Sequence, residues 1–325
     1  MNSFHLIFKD EEDQTSNLSV DWLIKFSVKY LIINNDNLVV SQLTVCSEQT
    51  DFELSNRDVA LRFSDITSYW MRRGGLYFKH NDSGMPLSKQ NYLRGESNTL
   101  QESIMALIYS KHGIGRIELN ETNKIYNLTI AVQYGLQVPH TLVSSFKSVL
   151  EQALDQGAYC TKAIRQGYYT DGAYAFNGST VLAKNKDVSK LNNITWPSLL
   201  QEYQEKRYEL RIFYLDGDFY TSVIFSQNDE QTKVDFRHYN NARPNRTPPY
   251  QLPKHIEGKL HRLMQKLTIK CGSIDMVVNT KNEFVFLEVN PFGQFQQVSY
   301  PCNYYLELKV AEYLTKYDQK EKAIC

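Results

Sequence analysis

No apolar run long enough to span a bilayer, no C-x-x-C pair, no internal repeat and no net charge occur in this chain, and each absence removes a class of function. Thirty-six basic residues are cancelled by thirty-six acidic ones, so no long-range field draws the protein to DNA, RNA or an anionic membrane. Any polyanion it binds must be held locally. The five cysteines, Cys46, Cys160, Cys271, Cys302 and Cys325, are odd in number and widely spaced, which argues against a disulfide framework or a zinc site and predicts reduced thiols. The N-terminal residues turn acidic at positions 10–13 with no basic flank, so neither a signal peptide nor a membrane span is expected, and the predicted location is the cytoplasm. What is there is an ordinary globular composition. A hydrophobic content of 42% over 325 positions can bury a core, and that length predicts two or three compact lobes.

Two neighbouring apolar runs carry the most information. Residues 273–278 (SIDMVV) and 284–294 (FVFLEVNPFGQ) read as strands joined by a turn over 279–282. Alternation sets Ile274, Met276, Val278, Val285, Leu287 and Val289 on one face, which must pack against something. The other face carries Asp275, Glu288 and Asn290 at the end away from the turn, with Asp275 and Glu288 as diagonal cross-strand neighbours at roughly 7–8 Å. Two carboxylates that close repel unless a cation lies between them, and hard oxygen ligands with room for phosphate suit Mg²⁺ better than zinc. The functional reading is a Mg²⁺–nucleotide site. The alternative is a strand that simply turns a corner, with Glu288 in a salt bridge and Asn290 bonded to its own backbone.

Around these runs the pattern is a mixed α/β (α+β) one. Residues 1–115 combine short apolar strands (5–9, 38–44) with helices around 19–30 and 91–109, a small α/β lobe. An amphipathic helix follows, with Ile125, Leu128, Ala131 and Val132 in one stripe and Gly135 as its stop; Ser144 is then a suitable N-cap for a helix to about residue 154. A strand over 159–165 leads to a loop bearing Gly167, Gly172 and Gly178, and a short strand over 180–184 follows. Residues 195–198 break the pattern. Residues 208–226 form a hairpin about Asp216-Gly217, the preferred pair for a tight type I′ turn. A loop rich in Pro and Asn over 240–253 precedes a helix over 254–268, and a last helix over 304–316 follows the LEVNPFGQ strand.

Four further groups can handle phosphate and acyl chemistry. Lys124, beside Asn123 at a helix start, is by itself most simply a solvated residue; Lys162, inside a strand, is less ordinary, and two ammonium groups from different elements neutralise phosphate oxygens as point charges. Gln201, Glu202 and Tyr203 form an extended hinge whose backbone can face an adenine edge, or equally a plain strand entry. Glu209 alternates with Arg211 on one face of the hairpin, opposite Leu210 and Ile212, which suits Glu209 to ribose hydroxyls and Arg211 to phosphate or a carboxylate. The alternative is a surface ion pair between the two, worth about 0–1 kcal/mol. In VDFRHYNNARP, Arg237 can hold an acyl phosphate bidentately, with His238 beside it either a base or a solvated loop residue.

In this order the residues resemble the ATP-grasp superfamily, through N-K-I-Y-N-L-T-I-A with Lys124, the strand Lys162, Q-E-Y followed by E-L-R, D-F-R, and S-I-D with L-E-V-N-P-F-G-Q, together spanning about residues 110–312. The continuation V-S-Y-P-C-N-Y-Y-L-E is similar to the peptide-modifying ligases of the microviridin or graspetide type, in particular the group called grasp-with-spasm. The resemblance implies an N-terminal domain over 1–115 and two α+β subdomains, 116–195 and 196–325, clasping a nucleotide. It implies Mg²⁺ on Asp275, Glu288 and Asn290, ATP phosphates on Lys124 and Lys162, adenosine on Gln201, Glu202, Tyr203 and Glu209, and Arg211 and Arg237 facing the transferred phosphate and acyl group. It also implies a ribosomally made precursor peptide, leader plus core, as partner and a homodimer as assembly. Activity on that peptide would join Asp or Glu carboxylates to Thr, Ser or Lys side chains; an ATP-grasp amino-acid ligase joining separate substrates is the alternative. Two departures stand out: the glycines after Lys162 are spread among bulky aromatics, and Asn123-Lys124 stands where related amino-acid ligases often show Asp-Lys.

Overall fold

The computed structural model describes residues 3–11, 13–34, 37–57, 59–81, 83–120, 123–165, 169–171, 174–176, 180–227 and 245–317. In chain order the strands are β1 (Phe4–Phe8), β2 (Tyr30–Ile33), β3 (Asn37–Val45), β4 (Thr50–Ser55), β5 (Ala60–Arg62), β6 (Ile66–Met71), β7 (Tyr77–Phe78), β8 (His112–Ile114), β9 (Thr141–Phe146), β10 (Tyr159–Thr161), β11 (Tyr169–Asp171), β12 (Tyr174–Phe176), β13 (Val181–Leu182), β14 (Ile194–Glu202), β15 (Lys206–Leu215), β16 (Asp218–Ile224), β17 (Pro249–Tyr250), β18 (Cys271–Asn279) and β19 (Phe284–Asn290). The helices are α1 (Gln14–Lys25), α2 (Leu87–Tyr109), α3 (Lys124–Gln133), α4 (Lys147–Gln156), α5 (Asn185–Val188), α6 (Lys254–Lys266), α7 (Gln296–Cys302) and α8 (Leu306–Leu314). Among the described residues no helix is long and apolar enough to cross a membrane. Two compact units result, Met1–Glu118 with Tyr305–Cys325, and Leu119–Tyr304.

The first unit holds a parallel sheet in the order β2-β1-β6-β8 and a second sheet in the order β5-β4-β3-β7. Leu6, Ile7, Phe8, Ile33 and Trp70 are buried in the parallel sheet, and α1 packs against α8. Helix α1 lies earlier than the 19–30 expected from the sequence. Ser27, at φ 57°, ends it in the left-handed region, Val28 N–H donates back to Leu23 O, and Tyr30 already opens β2.

The second unit contains two larger antiparallel sheets, β13-β10-β14-β9 and β17-β16-β15-β18-β19, and the two-stranded β11-β12. Leu150 and Ala153 of α4 pack with Tyr159 and Leu200 of the first of these. Helices α3 and α6 cover one face of the five-stranded sheet. In α6 the residues Ile256, Leu260, Leu263 and Met264 follow helical spacing and are all buried, each contributing about 1.5–3 kcal/mol against exposure. Asp216 and Gly217, both at positive φ, close the β15–β16 hairpin as the sequence predicts. Three local expectations are corrected. Ser144 lies inside β9, where its Oγ accepts from Phe146 N–H in a local turn instead of capping α4. Residues 195–198 do not break the pattern: β14 runs through them with a register shift between Ile194 and Ser198. The helix expected over 304–316 is present as the shorter α8, and a second helix, α7, precedes it, with Asn303 and Tyr305 in the left-handed region between them.

Candidate active site

The five-stranded sheet has one apolar and one polar face. Leu210, Ile212 and Tyr214 of β15, Ile274, Met276 and Val278 of β18, and Phe286 and Val289 of β19 join the core beneath α3 and α6. On the other face a row of side chains crosses four strands: Ser222 opposes Arg211, Arg211 opposes Asp275, and Asp275 opposes Glu288. The next row carries Ser273 opposite Asn290.

A bulge at Leu287 sets this arrangement and corrects the expected register. The pairing shifts between Asp275 and Met276, so Asp275 and Glu288 stand directly opposite instead of diagonally, about 4.5–5.5 Å apart at Cβ. The same extra residue turns Phe284 and Phe286 toward the core and sends Val285 to pair with Val277, away from the face shared by Met276 and Val278. The turn behind these strands is held by Asn279, whose Oδ1 accepts from Lys281 N–H at 3.0 Å and Glu283 N–H at 2.9 Å.

Each carboxylate has cations beside it. Arg211 Nη1 donates to Asp275 Oδ1 at 2.6 Å and Oδ2 at 2.5 Å. Lys124 Nζ and Lys162 Nζ both lie 3.6 Å from Glu288 Oε2, and Lys124 also donates to Ala163 O at 3.3 Å. Lys162 sits one residue past the end of β10, which stops at Thr161 and does not run to residue 165. Lys124 is the first residue of α3, capped by Asn123, whose side chain accepts from Tyr126 N–H. A cation there opposes the helix dipole, so its position is explained by Glu288 and not by the helix. Helix α3 is also rotated from the expected stripe: Ile125 and Val132 are exposed, while Lys124, Asn127, Leu128 and Ala131 face inward.

The remaining predicted groups are placed as follows. Glu209 is buried and accepts from Ser226 Oγ at 2.6 Å and Lys206 Nζ at 2.9 Å. Burial pushes its carboxyl above the ordinary range, with Lys206 and Ser226 pulling the other way. Glu209 and Arg211 thus have separate partners and form no surface pair with each other. Gln201 Nε2 donates to Thr141 Oγ1, Glu202 N–H to His140 O and Tyr203 N–H to Ala158 O, so those two backbone donors are spent inside the sheet. Asn290 Oδ1 accepts from Phe292 N–H at 3.0 Å, leaving it further acceptor capacity. Arg237, His238, Gly167, Gly172 and Gly178 lie outside the described residues. Lys206 and Asn127 were not singled out from the sequence. A register shift between Lys206 and Tyr208 puts Lys206 beside Glu209, which period-2 counting cannot reveal.

Six buried side-chain polar atoms among the described residues have no hydrogen-bond partner, and three of them, Arg211 Nε, Ser222 Oγ and Ser273 Oγ, belong to residues of these two rows. A fourth, Asn127 Nδ2, is one turn along α3 from Lys124 on its buried side. Unpaired buried donors cost about 1–3 kcal/mol each, and their concentration here marks a place built to receive a polar ligand.

No family model and no curated protein sequence matches the chain. Solved structures do. A RiPP-associated ATP-grasp ligase from Chryseobacterium gregarium, in complex with ADP and a leader and core peptide, superposes with a TM-score of 0.79 at 20% identity, covering 97% of each chain. The macrocyclase MdnC of Microcystis aeruginosa, bound with precursor peptide MdnA, gives 0.75 at 24% identity over 96% of this chain and 99% of that one. The chain has the ATP-grasp fold. D-alanyl-alanine synthetase A of Vibrio cholerae shares it more distantly, with a TM-score of 0.57 at 14% identity over 97% of this chain and 98% of the other.

Within this ATP-grasp fold the polar face suits a hard divalent cation. Asp275, Glu288, the amide oxygen of Asn290 and the unpaired Ser273 hydroxyl are all oxygen donors. Gly293 permits their close approach, since a Cβ there would lie 2.5 Å from Ser273 Oγ. An all-oxygen donor set of this kind fits Mg²⁺, which keeps several waters and shares phosphate oxygens.

Proposed function

We propose that this protein is an ATP-dependent carboxylate ligase that activates Asp or Glu side chains of a ribosomally made precursor peptide and joins them to Thr or Ser hydroxyls or Lys amines of the same peptide. The observation that carries the reading is the convergence of three cations, Lys124, Lys162 and Arg211, from separate elements onto two facing carboxylates. An excess of positive charge around an oxygen-rich pair is what a triphosphate with its metal requires. The fold neighbours support the substrate class: besides the two peptide complexes above, the ligase PsnB was solved with a minimal precursor, Mg and ADP.

In this reading Asp275, Glu288 and Asn290 hold Mg²⁺, which when bound neutralises charge on the phosphate oxygens. Lys124 and Lys162 turn from Glu288 to those oxygens, and Gln201, Glu202, Tyr203 and Glu209 line the adenosine end. A substrate carboxylate attacks the γ-phosphorus of ATP, forming an acyl phosphate and releasing ADP, while Arg211 and Arg237 hold the transferring group. A hydroxyl or amine of the same peptide then attacks the acyl carbon and loses its proton, and phosphate departs. Because both ends belong to one chain, closure is effectively unimolecular. The leader would dock at a groove of about 570 Å³ lined by Asp218, Phe219, Tyr220, Tyr250, Leu252 and Tyr304. There β17 pairs with β16 only at Thr221 and Ser222, leaving the hairpin tip open to an added peptide segment.

The test is coexpression with a short adjacent reading frame whose core is patterned with Thr and Glu or Asp and Lys, followed by intact-mass measurement. Loss of one water per ring is expected, abolished by Glu288→Gln and, through the leader, by Tyr250→Asp. An unchanged mass, or added residues, would turn the assignment to an amino-acid ligase.

A further inference from the structure

The two remaining unpaired buried atoms, Thr15 Oγ1 and Ser19 Oγ, both belong to the first two turns of α1 in the first unit. That helix begins at a topologically distinctive point. The chain leaves β1 through α1 to β2 on one side, while β6 flanks β1 on the other, and all three strands are parallel. Crevices that take ligands in open parallel sheets lie at the carboxyl ends of strands where the order reverses in this way.

The groups at this point are arranged for an anion. The loops after β1 and β6 are tied together, since Arg72 and Arg73 N–H both donate to Phe8 O at 3.0 Å. Asp13 occupies the N-cap position of α1 but makes no side-chain cap, because its carboxylate accepts from Arg72 Nε at 2.9 Å and Nη2 at 3.4 Å. A capping carboxylate would ordinarily satisfy the first-turn N–H groups; here Arg72 draws it off, and the positive end of the helix is left uncapped by any side chain. Lys9, the residue that follows β1, is 6% exposed and has neither an ion pair nor a side-chain hydrogen bond among the described residues. Buried charges of this kind are normally paired. Arg73 is half-buried nearby; the flanking acids are Asp10, half-buried, Glu11, exposed, and Glu12, which lies outside the described residues. Lys9 is a single buried cation, which suits a monoanion better than a dianion.

We propose that Lys9, Thr15 and the N-terminus of α1 form a second anion site that takes a carboxylate side chain of an acidic peptide. The choice of a peptide as the source of that carboxylate rests on the ligase reading; the site itself does not. Its role would be to hold an acidic residue of the substrate apart from the polar face of the five-stranded sheet.

Fluorescence anisotropy with the full-length protein tests this, using a labelled Glu/Thr decapeptide and its Gln/Thr counterpart at low salt. The acidic peptide should bind more tightly, and Lys9→Met should weaken it about tenfold without altering the Gln peptide. Lys9→Arg should keep affinity within about threefold, and Thr15→Val should lose about threefold, so the result stands even where the Met variant folds poorly. Equal affinity for the two peptides, or an unchanged preference in Lys9→Met, overturns the proposal. Competition by millimolar inorganic phosphate but not by acetate would overturn the carboxylate assignment. Mg²⁺–ADP uptake by the unaltered protein, measured in parallel, separates the two readings: its absence with Lys9-dependent acidic selectivity intact removes the ligase assignment and leaves this site standing.

Discussion

Two charged clusters, one in each unit, hold their charges differently. On the face of the five-stranded sheet, Lys124 and Lys162 share one oxygen of Glu288 at 3.6 Å, longer than a hydrogen bond, while Lys124 also donates to Ala163 O at 3.3 Å. At the carboxyl ends of β1 and β6, Arg72 and Asp13 are bonded at 2.9 Å with side chains 4% and 2% exposed, while Lys9 has no such partner among the described residues. The contrast separates scaffold from function. A closed, dehydrated pair holds two loops in place, whereas cations held loosely or not at all are the ones available to a ligand.

Breaking the closed pair should have the largest effect. Arg72→Met leaves Asp13 buried and uncompensated, and denaturant unfolding should show a loss of about 3–5 kcal/mol. A loss under 1 kcal/mol would mean that the pair is not structural and that the contrast drawn above is false. The loose cluster should respond in the opposite currency. Glu288→Gln should cost less stability than Arg72→Met but lower ADP release by about 10²–10³-fold, the scale of removing one preorganised electrostatic contact from a transition state. ADP release at the unaltered rate would show that the facing carboxylates do not serve phosphoryl transfer.

How much of this could be read from residues alone depended on whether a single period governed the segment. The Asp216-Gly217 turn and helix α6 follow from local chemistry, and so does the assignment of Asp275, Glu288 and Asn290 to one polar face; that Arg211 stands opposite Asp275 came from the structure. What escaped were the places where one residue changes the phase. The extra Leu287 in β19 brings Asp275 opposite Glu288, and the shift at Arg207 brings Lys206 to Glu209; neither leaves a mark in an alternating pattern. In α3 the apolar stripe misled because two polar residues, Lys124 and Asn127, take the inward positions that Ile125 and Val132 were expected to hold. The burial of Lys124 is explained by Glu288, which lies outside the helix. Ser144 failed for a different reason: a serine hydroxyl satisfies a local backbone N–H equally well at a helix cap or at a strand end.

The smallest effects should come from the unpaired hydroxyls, and they sharpen the comparison most. Ser222 Oγ and Thr15 Oγ1 are both buried without partners, so replacing either with an apolar isostere, Ser222→Ala or Thr15→Val, removes a desolvated group and should raise stability by up to about 1 kcal/mol. A loss of similar size in either variant would show that its hydroxyl is in fact satisfied. The kinetic consequences should then diverge. Ser222 stands opposite Arg211 in the row to which the proposed chemistry is assigned, so its loss should lower kcat, while Thr15 belongs to the proposed anion site of the first unit, and its loss should raise KM for an acidic peptide with kcat retained. Equal stabilisation with opposite kinetic signatures is expected only if one cluster performs the chemistry and the other holds the substrate.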